Sequence, residues 1–388
     1  MAEGLSESAL LPAAPRATPF VIEQRDPGSL ARRGRLQTAH GSVETPTFMP
    51  VATQGTVKGI LTSQLDQMGA QVLLCNAYHL SLRPGVEVIE ALGGLHRFMG
   101  WLGAILTDSG GYQIMSLAPL RTVTDDGVAF QSHLDGSRLF LTPEAVVEGQ
   151  RRLGVDIIMP LDECVAHDAA AAAIEVAMRR TTAWAERSAR VPVGADRHVF
   201  AIVQGGLDAA RRRAHAGELA AIVFPGYAVG GLSVGEEREV TREMAAVTAA
   251  ALPQDRTRYL MGVGLPQDLL RFMAMGYDLF DCVLPTRNGR NGTCFTWHGR
   301  VNVRLARHAR DPQPLDSTCD CPVCRRYSRA YLRHLAAAGE MLGAQLATLH
   351  NLHFYLDLMR QARTHIAAGD YAGWATARAD AIDAAERA

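Results

Sequence analysis

The chain has 388 residues, of which 48% are hydrophobic and 20% are charged, and its formal net charge is −1. This composition is typical of a globular protein with a sizeable core, and no apolar run reaches the ~20 residues that a membrane-spanning helix needs. The length allows one large barrel or two medium domains. Residues 1–19 are rich in Ala, Ser and Pro and lack a signal-peptide pattern, which predicts a flexible tail and a cytoplasmic location.

Short apolar segments alternate with amphipathic stretches along most of the chain. The predicted strands are residues 48–51, 72–75, 104–106, 156–161, 199–203, 227–229, 259–261 and 279–283. The predicted helices are residues 63–68, 86–92, 143–153, 169–190, 208–222, 236–251 and 266–275. Eight strands alternating with helices predict an α/β fold, a (β/α)8 TIM barrel. A doubly wound sheet is the alternative, but no Gly-rich fingerprint follows the first strand.

Residues 123–141 interrupt this order and predict an inserted hairpin, because apolar and polar residues alternate there around two Asp-Gly pairs. Two further extended segments, residues 20–24 and 41–48, are predicted before the barrel.

Polar or Gly-rich residues follow most of the predicted strands. They include Asp108, Asp162, Gln204, the Gly230-Gly231 pair and Asp281. The carboxyl ends of barrel strands meet on one face, so these residues predict an active site there. Asp281 taken alone could equally be a turn aspartate, but three acids and an amide on one rim favour a functional site.

Residues 287–333 contain ten arginines against three acidic residues, a local charge of +7. A basic patch on a nearly neutral protein favours a phosphate-bearing partner, although an ordinary Arg-rich surface would look the same. The stretch starts after Pro285 with a predicted loop that carries Arg287 and Arg290.

A cysteine cluster with a downstream histidine predicts a metal site. Its members are Cys319, Cys321, Cys324 and His350, with His353 as a weaker candidate for the fourth ligand. Three thiolates and one imidazole make a closed tetrahedral set, which is typical of structural zinc and leaves no open position for catalysis. A chance cluster of free thiols is the alternative.

Several stretches match one family closely: residues 107–113, 132–136, 162–164, 227–232, 259–264, 280–287 and the cysteine set. On these residues the chain resembles the bacterial tRNA-guanine transglycosylases (queuine tRNA-ribosyltransferases). The resemblance covers about 80% of the chain, from residue 41 to the helix after His350. It implies a TIM barrel with a small C-terminal zinc-binding subdomain inserted before the last helix. The expected division is a tail (1–19), a catalytic barrel (20–285), a zinc and tRNA-contacting subdomain (286–343) and closing helices (344–388).

The resemblance also implies residue roles. Asp281 corresponds to the nucleophile that attacks the ribose of the wobble guanosine, and Asp108 corresponds to the general acid/base. Arg287 and Arg290 correspond to residues that hold the anticodon loop. The residues that correspond to base-binding groups are Ser109, Tyr112, Asp162, Gln204, Gly230, Gly231, Leu232 and Met261.

The implied reaction exchanges guanine for 7-aminomethyl-7-deazaguanine (preQ1) in tRNAs with a GUN anticodon, through a covalent aspartyl-ribosyl intermediate. Cys164 and Val234 resemble the preQ1-using bacterial branch, and Leu232 corresponds to a residue that contributes its carbonyl. Glu236 is a candidate to meet the ligand's ammonium, directly or by orienting the Leu232 peptide, with a helix N-terminal acid as the alternative. Such chemistry follows the double-displacement logic of retaining glycosidases, with a base in place of water.

A homodimer is implied as well, and we place the helically spaced Tyr327, Tyr331 and His334, with Phe98, at its interface. Intramolecular packing is the alternative for this stripe. Three other functions remain: a noncatalytic zinc-containing RNA-binding protein or partner subunit, an archaeosine-type enzyme and a glycoside hydrolase. The first would not need the acids at the strand ends, the second would be expected to carry a long C-terminal RNA-binding domain, and the third would not need the cysteine cluster.

Overall fold

The structure is a computed structural model, and it describes residues 18–117 and 121–387. Residues 1–17 of the predicted tail lie outside the described residues. The strands are β1 (Phe20–Arg25), β2 (Arg32–Thr38), β3 (Gly41–Thr45), β4 (Thr47–Pro50), β5 (Val72–Asn76), β6 (Ala104–Asp108), β7 (Arg121–Val123), β8 (Val128–Gln131), β9 (Arg138–Leu141), β10 (Ile157–Ile158), β11 (His198–Val203), β12 (Gly226–Val229), β13 (Thr257–Leu260), β14 (Leu279–Cys282), β15 (Thr293–Thr296) and β16 (Gly299–Asn302).

The helices largely occupy the segments between the barrel strands and the C-terminal region. They are α1 (Thr62–Gln67), α2 (Ala77–Leu82), α3 (Val86–Ala91), α4 (Leu95–Met99), α5 (Gly111–Leu117), α6 (Pro143–Leu153), α7 (Ala171–Ala189), α8 (Ala209–Ile222), α9 (Arg238–Ala251), α10 (Pro266–Ala274), α11 (Leu284–Arg290), α12 (Pro322–Arg326), α13 (Arg329–Ala338), α14 (Met341–Ala368) and α15 (Tyr371–Arg387). No helix of the described residues is long and apolar enough to cross a membrane.

Eight strands form one parallel sheet in the order β4-β14-β13-β12-β11-β10-β6-β5. The sheet closes on itself because β4 also meets β5, where Val51 bridges Leu74. Each barrel strand therefore has two neighbours, and its apolar residues are covered by the barrel interior on one face and by helices on the other. The predicted (β/α)8 barrel is confirmed.

Side-chain alternation along the strands decides which residues enter the barrel. Leu279 packs in the interior cluster with Leu106, whereas Phe280 packs in the cluster beneath the helices. Successive residues of a strand point to opposite faces. Asp281 and Asp108, two residues after Leu279 and Leu106, therefore point inward at the carboxyl end of the barrel.

Besides a separate two-stranded sheet of β15 and β16, two three-stranded sheets accompany the barrel. Strands β1, β2 and β3 form an antiparallel sheet at its amino end, where Arg32 of β2 pairs with buried Asp278 just before β14 at 2.6 Å. The insertion after β6 is a three-stranded antiparallel sheet of β7, β8 and β9, so the prediction of a hairpin was one strand short. The missed strand, Arg121–Val123, is short and mostly exposed, which leaves almost no apolar pattern to detect.

The segment after β14 is a helix, and the prediction of a loop there was wrong. Pro285 stands in the first turn of α11, where a missing N–H costs nothing and the fixed φ favours the helix. Gly289 packs directly against Thr348 of α14, at a spacing that leaves no room for a side chain. The expected domain boundary at 285/286 falls inside α11, and the division of the chain into domains stays a prediction.

Candidate active site

A cavity of about 580 Å³ opens at the carboxyl ends of the barrel strands. The lining includes every residue predicted to act on the base or the ribose: Asp108, Ser109, Tyr112, Asp162, Gln204, Gly230, Gly231, Leu232, Met261 and Asp281. These residues follow six different strands, and the closed sheet brings them to one rim. Their individual roles stay predictions.

Asp281 is held by one of its two oxygens. The Tyr259 hydroxyl donates to Oδ1 at 2.6 Å, and the Gly262 amide donates to the same oxygen at 2.8 Å. No described residue donates a hydrogen bond to Oδ2. Burial raises the pKa of Asp281, and the two hydrogen bonds oppose that rise. The result is an oriented carboxylate with one oxygen available to a substrate.

Asp108 lies across the rim and is only partly satisfied. Asn76 Nδ2 donates to its Oδ2 at 2.7 Å, while its Oδ1 is buried and has no hydrogen-bond partner among the described residues. Burial, followed by the charge of Asp281, raises the pKa of Asp108 to about 8. A carboxyl group with a pKa near neutrality can both give and take a proton, which suits a general acid/base.

Asp162 is the third rim carboxylate, and its side chain is fully buried against polar neighbours. Gln204 Nε2 donates to Oδ2 at 2.7 Å, and the Ser109 hydroxyl donates to Oδ1 at 3.4 Å. Burial raises the pKa of Asp162 to about 6, against the pull of these two hydrogen bonds. Such a carboxyl can accept hydrogen bonds from ring N–H groups at one end of the cavity.

The Gly230-Gly231 turn brings backbone, not side chains, to the cavity wall. A Cβ on Gly230 would lie 2.8 Å from Gln204 Nε2, and one on Gly231 would lie 2.5 Å from Gln204 Oε1. Gly231 also has a φ of 65°, a conformation that favours glycine. The absence of side chains lets peptide groups reach a flat ligand directly. Tyr112, which is 53% exposed, and Met261 line the same cavity and offer stacking surfaces.

The predicted metal ligands converge in the C-terminal region. The Sγ atoms of Cys319, Cys321 and Cys324 lie 3.9, 3.5 and 3.4 Å from His350 Nδ1. These distances fit a tetrahedral ion, for which the Zn–S and Zn–N bond lengths give an S···N separation of about 3.6 Å. His353 reaches only one of the three thiols: its Nδ1 lies 3.8 Å from Cys319 Sγ, and its Nε2 lies 3.2 Å from Asp320 Oδ1. The cluster can therefore hold a metal ion with His350 as the fourth ligand.

One turn of α14 connects this cluster to its surroundings. His350 Nε2 lies 2.8 Å from the Phe295 carbonyl, which fixes the tautomer that leaves Nδ1 free for a metal. The adjacent Asn351 accepts from the Phe295 amide at 2.9 Å and donates to the Pro285 carbonyl at 2.9 Å. Two consecutive residues thus join the metal cluster, strand β15 and helix α11.

Comparison with known proteins agrees with this geometry. A model of the family "Queuine tRNA-ribosyltransferase" matches residues 26–384. A curated protein of that name from Solidesulfovibrio magneticus is 53% identical over 346 residues, covering 89% of this chain and 93% of the relative. Another, from Desulforamulus reducens, is 50% identical over 345 residues, with the same coverage of 89% and 93%. A third, from Caldanaerobacter subterraneus, is 51% identical over 351 residues, covering 90% and 94%.

The chain belongs to the queuine tRNA-ribosyltransferase family. The resemblance stated from its motifs is confirmed, and so is the prediction that the protein is an enzyme. In this queuine tRNA-ribosyltransferase family member the two arginines of α11 have different settings. Arg287 is exposed at the edge of the cavity, whereas Arg290 is half-buried and its Nη1 has no hydrogen-bond partner among the described residues.

Three site residues of this family member were missed by reasoning from the sequence. Tyr259 and Gly262 hold Asp281, and Asn76 holds Asp108. Asn76 could have been found, because it ends β5 just as Asp108 ends β6, and the two are register partners. Tyr259 gave no signal, because an aromatic residue in an apolar strand is indistinguishable from a core residue.

Proposed function

We propose that this enzyme exchanges the wobble guanine of tRNAs with a GUN anticodon (Asp, Asn, His and Tyr) for preQ1, a step in queuosine biosynthesis. The observation that carries the proposal is the carboxylate pair at the rim. Asp281 is oriented with one oxygen open, and Asp108 opposite it carries a pKa near 8. Membership of the family supports the substrate class, and the resemblance supports the choice of tRNAs and of preQ1.

The proposed reaction is a double displacement. Asp281 Oδ2 attacks C1′ of the ribose as the bond from C1′ to guanine N9 breaks, and protonated Asp108 supplies the proton to the leaving base. The incoming base then gives its N9 proton to Asp108 and attacks C1′, which breaks the ester to Asp281. The developing oxocarbenium charge is stabilised by the same carboxylate that traps it. The barrel mouth must limit water while the bases exchange.

Base recognition is proposed for the other lining residues. Asp162, supported by Gln204 and Ser109, would accept from the adjacent N–H donors of the guanine edge. Backbone groups of Gly230, Gly231 and Leu232 would bind the rest of the edge. Tyr112 and Met261 would stack on the two ring faces once the wobble base leaves the anticodon stack.

The preference for preQ1 is proposed to arise at the far end of this cavity, where Cys164 and Val234 line the wall. Glu236 accepts from the Val234 amide at 2.9 Å and from the Thr241 hydroxyl at 2.6 Å, which lowers its pKa despite burial. An ionised carboxylate that orders this turn is suited to an aminomethyl group in its protonated form.

The anticodon loop is proposed to lie over α11 and the basic segment beyond it. Arg287 stands at the cavity edge, with Arg290 one turn later. Six arginines of residues 299–333 are exposed: Arg300, Arg304, Arg307, Arg310, Arg325 and Arg326. Their charge supports a polyanionic partner, and a tRNA substrate in turn favours the cytoplasm as the location.

The metal is proposed to be one structural Zn²⁺ per subunit, bound by Cys319, Cys321, Cys324 and His350. A closed set of three thiolates and one imidazole suits zinc and supplies stability to the subdomain, not chemistry. Elemental analysis should find one zinc per chain, and Cys321→Ser should lose the metal and unfold at lower temperature. A fully stable, metal-free Cys321→Ser protein would contradict this.

A homodimer is also proposed, with Tyr331 and Phe98 at its interface. Tyr331 is 38% exposed, Phe98 is 41% exposed, and Tyr331 stacks on Tyr327 with ring centroids 5.3 Å apart. A rigid exposed aromatic stack is typical of an interface anchor. Sedimentation should show a dimer that Tyr331→Ala weakens, and unchanged dimerisation would refute the assignment.

The decisive experiment is base exchange with radiolabelled guanine. The wild-type enzyme should incorporate label into a tRNA with a GUN anticodon, and Asp281→Asn should not. Denaturing gels should show a covalent protein–RNA adduct with wild type that is absent with Asp281→Asn. A wild-type protein that binds this tRNA without exchange or adduct would favour the alternative of a noncatalytic RNA-binding subunit.

A further inference from the structure

Arg212 of helix α8 is a charged residue buried directly behind the cavity wall. Its exposed fraction is 0%, and burial lowers the pKa of its guanidinium only to about 10, so it stays charged at neutral pH. A charge in such a position is costly unless it is well bonded. It contacts backbone oxygens, and it does not itself line the cavity.

The guanidinium connects two neighbouring turns of the barrel rim. Its Nε donates to the Gly206 carbonyl at 2.7 Å, in the turn after β11. Its Nη2 lies 3.2 Å from the Gly230 carbonyl and 3.3 Å from the Gly231 carbonyl, in the turn after β12. Nη1 is buried without a partner among the described residues, which indicates that the side chain is placed for these carbonyls at some energetic cost.

These contacts fix the direction of two amide groups. In a trans peptide the carbonyl and the following N–H point in opposite directions. The Gly230 and Gly231 carbonyls face Arg212, so the amide hydrogens of Gly231 and Leu232 point away from it, toward the cavity that both residues line. No described residue accepts a hydrogen bond from either amide. They form a pair of donors that no described residue of the protein satisfies.

The charge also strengthens these donors. A hydrogen bond to a peptide carbonyl polarises the whole peptide group and makes its N–H a better donor, especially at low local dielectric. Resting on the proposed function, we propose that Arg212 is a positioning residue that aims the Gly231 and Leu232 amides at the carbonyl oxygen of the guanine-type base. Gln204 also packs against the glycine turn, where its Oε1 would lie 2.5 Å from a Cβ on Gly231.

The test compares two bases that differ in this oxygen. Guanine carries it together with an N1–H donor, and 2-aminopurine lacks both, so the fold-change between wild type and variant is compared for each base. Arg212→Met should weaken guanine binding at least tenfold in calorimetry and raise its KM more than it lowers kcat, while 2-aminopurine binding changes less than twofold. The guanine affinity of Arg212→Lys should lie between those of wild type and Arg212→Met, because one ammonium cannot bond both turns. Arg213→Met, at the exposed neighbouring position, is the matched control and should leave both bases unaffected.

A merely structural role would weaken both bases equally, and that result would overturn the inference. Amide hydrogen exchange provides a check that needs no variant: guanine should slow exchange at Gly231 and Leu232 in the wild-type enzyme, and unchanged exchange there would also overturn it. If wild type fails to exchange labelled guanine, the proposed function is wrong, and the calorimetry and hydrogen exchange still decide the role of Arg212.

Discussion

Carboxylates at the two ends of the barrel differ in how many hydrogen bonds they accept. At the amino end, Asp156 receives four hydrogen bonds: from the Ile105 amide at 2.8 Å, from the His40 amide at 3.2 Å, and from the rings of His40 and His96 at 2.8 and 3.1 Å. At the carboxyl end, Asp108 has an oxygen with no partner among the described residues. The two carboxylates therefore differ in how completely they are hydrogen-bonded.

The pKa values follow the same division. Burial would raise the pKa of Asp156, but the hydrogen bonds from His96 and His40 hold it below its usual value. Burial and the charge of Asp281 raise the pKa of Asp108. A saturated carboxylate stabilises the fold, whereas an unsatisfied one stores a cost that substrate contacts can relieve. The amino-end carboxylate is thus saturated with donors, whereas the partly satisfied carboxyl-end one is free to take part in the chemistry that we propose.

The largest expected effect is on the guanine exchange rate, which should depend on a carboxylate at the carboxyl end of the barrel and not on one at the amino end. Asp281→Asn should lower the guanine exchange rate by about 1,000-fold or more, because an amide cannot act as the nucleophile. Asp156→Asn, the same chemical change at the other end, should leave kcat within about threefold. Exchange kinetics with labelled guanine measure both. Comparable losses from the two substitutions would remove the distinction between the ends.

The second effect is on the free energy of unfolding, and here the substitution at the amino end of the barrel should have the larger effect. Asp156→Ala should lower the free energy of unfolding by about 2–4 kcal/mol, because it leaves buried donors without an acceptor. Asp281→Ala should lower it by less, about 1 kcal/mol, because only the Tyr259 hydroxyl and the Gly262 amide lose an acceptor and a desolvated charge is removed with them. Urea denaturation of both proteins gives the values. A loss of unfolding free energy in Asp281→Ala as large as that in Asp156→Ala would show that the carboxylates at both ends stabilise the fold.

The third effect is the response of stability to pH. The pKa of Asp108 is about 8 in the folded protein, above its usual value of 3.8. At any pH between these two values, the folded protein binds more protons than the unfolded one. This contribution makes the free energy of unfolding fall as pH rises. Asp108→Asn should therefore gain stability relative to wild type as pH rises from 5 to 8, by about 1.4 kcal/mol per pH unit and about 3–4 kcal/mol over this range. A difference independent of pH would contradict the raised pKa.

Asp156 supplies the opposite control in the same titration. Its pKa is depressed in the folded state, so its stabilisation is present above the unfolded value and is lost as pH falls through the folded one. Asp156→Ala should therefore flatten the acid side of the stability profile, and Asp108→Asn should flatten the neutral side.

The smallest effect concerns the edge of the cavity. Arg287→Met should raise KM for tRNA about three- to tenfold at low salt, with little change in kcat, because a single exposed phosphate contact is lost. The increase should shrink as salt rises, since the contact is electrostatic. Arg213→Met serves as the control. A large drop in kcat would place Arg287 in the chemistry at the rim and not in RNA binding.

Much of the fold and of the rim was predictable from sequence. All seven predicted helices are present with ends within two residues, since amphipathic periodicity and caps such as Thr142 are local signals. The strand-end rule placed Asp108, Asp162 and Asp281 together because strand polarity alone decides which ends meet.

The remainder depends on tertiary packing. Tyr259 looked like a core residue, and Arg212 looked like one charge among three consecutive arginines on a helix. Only the closed sheet reveals that one supports Asp281 and the other holds the glycine turn. Helix α11 was missed because Pro285 and two Asn-Gly pairs indicate a turn locally, whereas packing on α14 decides the outcome.

The single helical turn at His350-Asn351 has a mechanical consequence. It joins the metal cluster to β15 through Phe295 and to α11 through Pro285. Nothing comparable connects the cluster to Asp162 or to the glycine turn among the described residues. We therefore expect metal loss to loosen the grip on RNA while the pocket for the free base keeps its shape. Under the proposed function, the bound ion would then stabilise the surface that faces the RNA and not the pocket for the base.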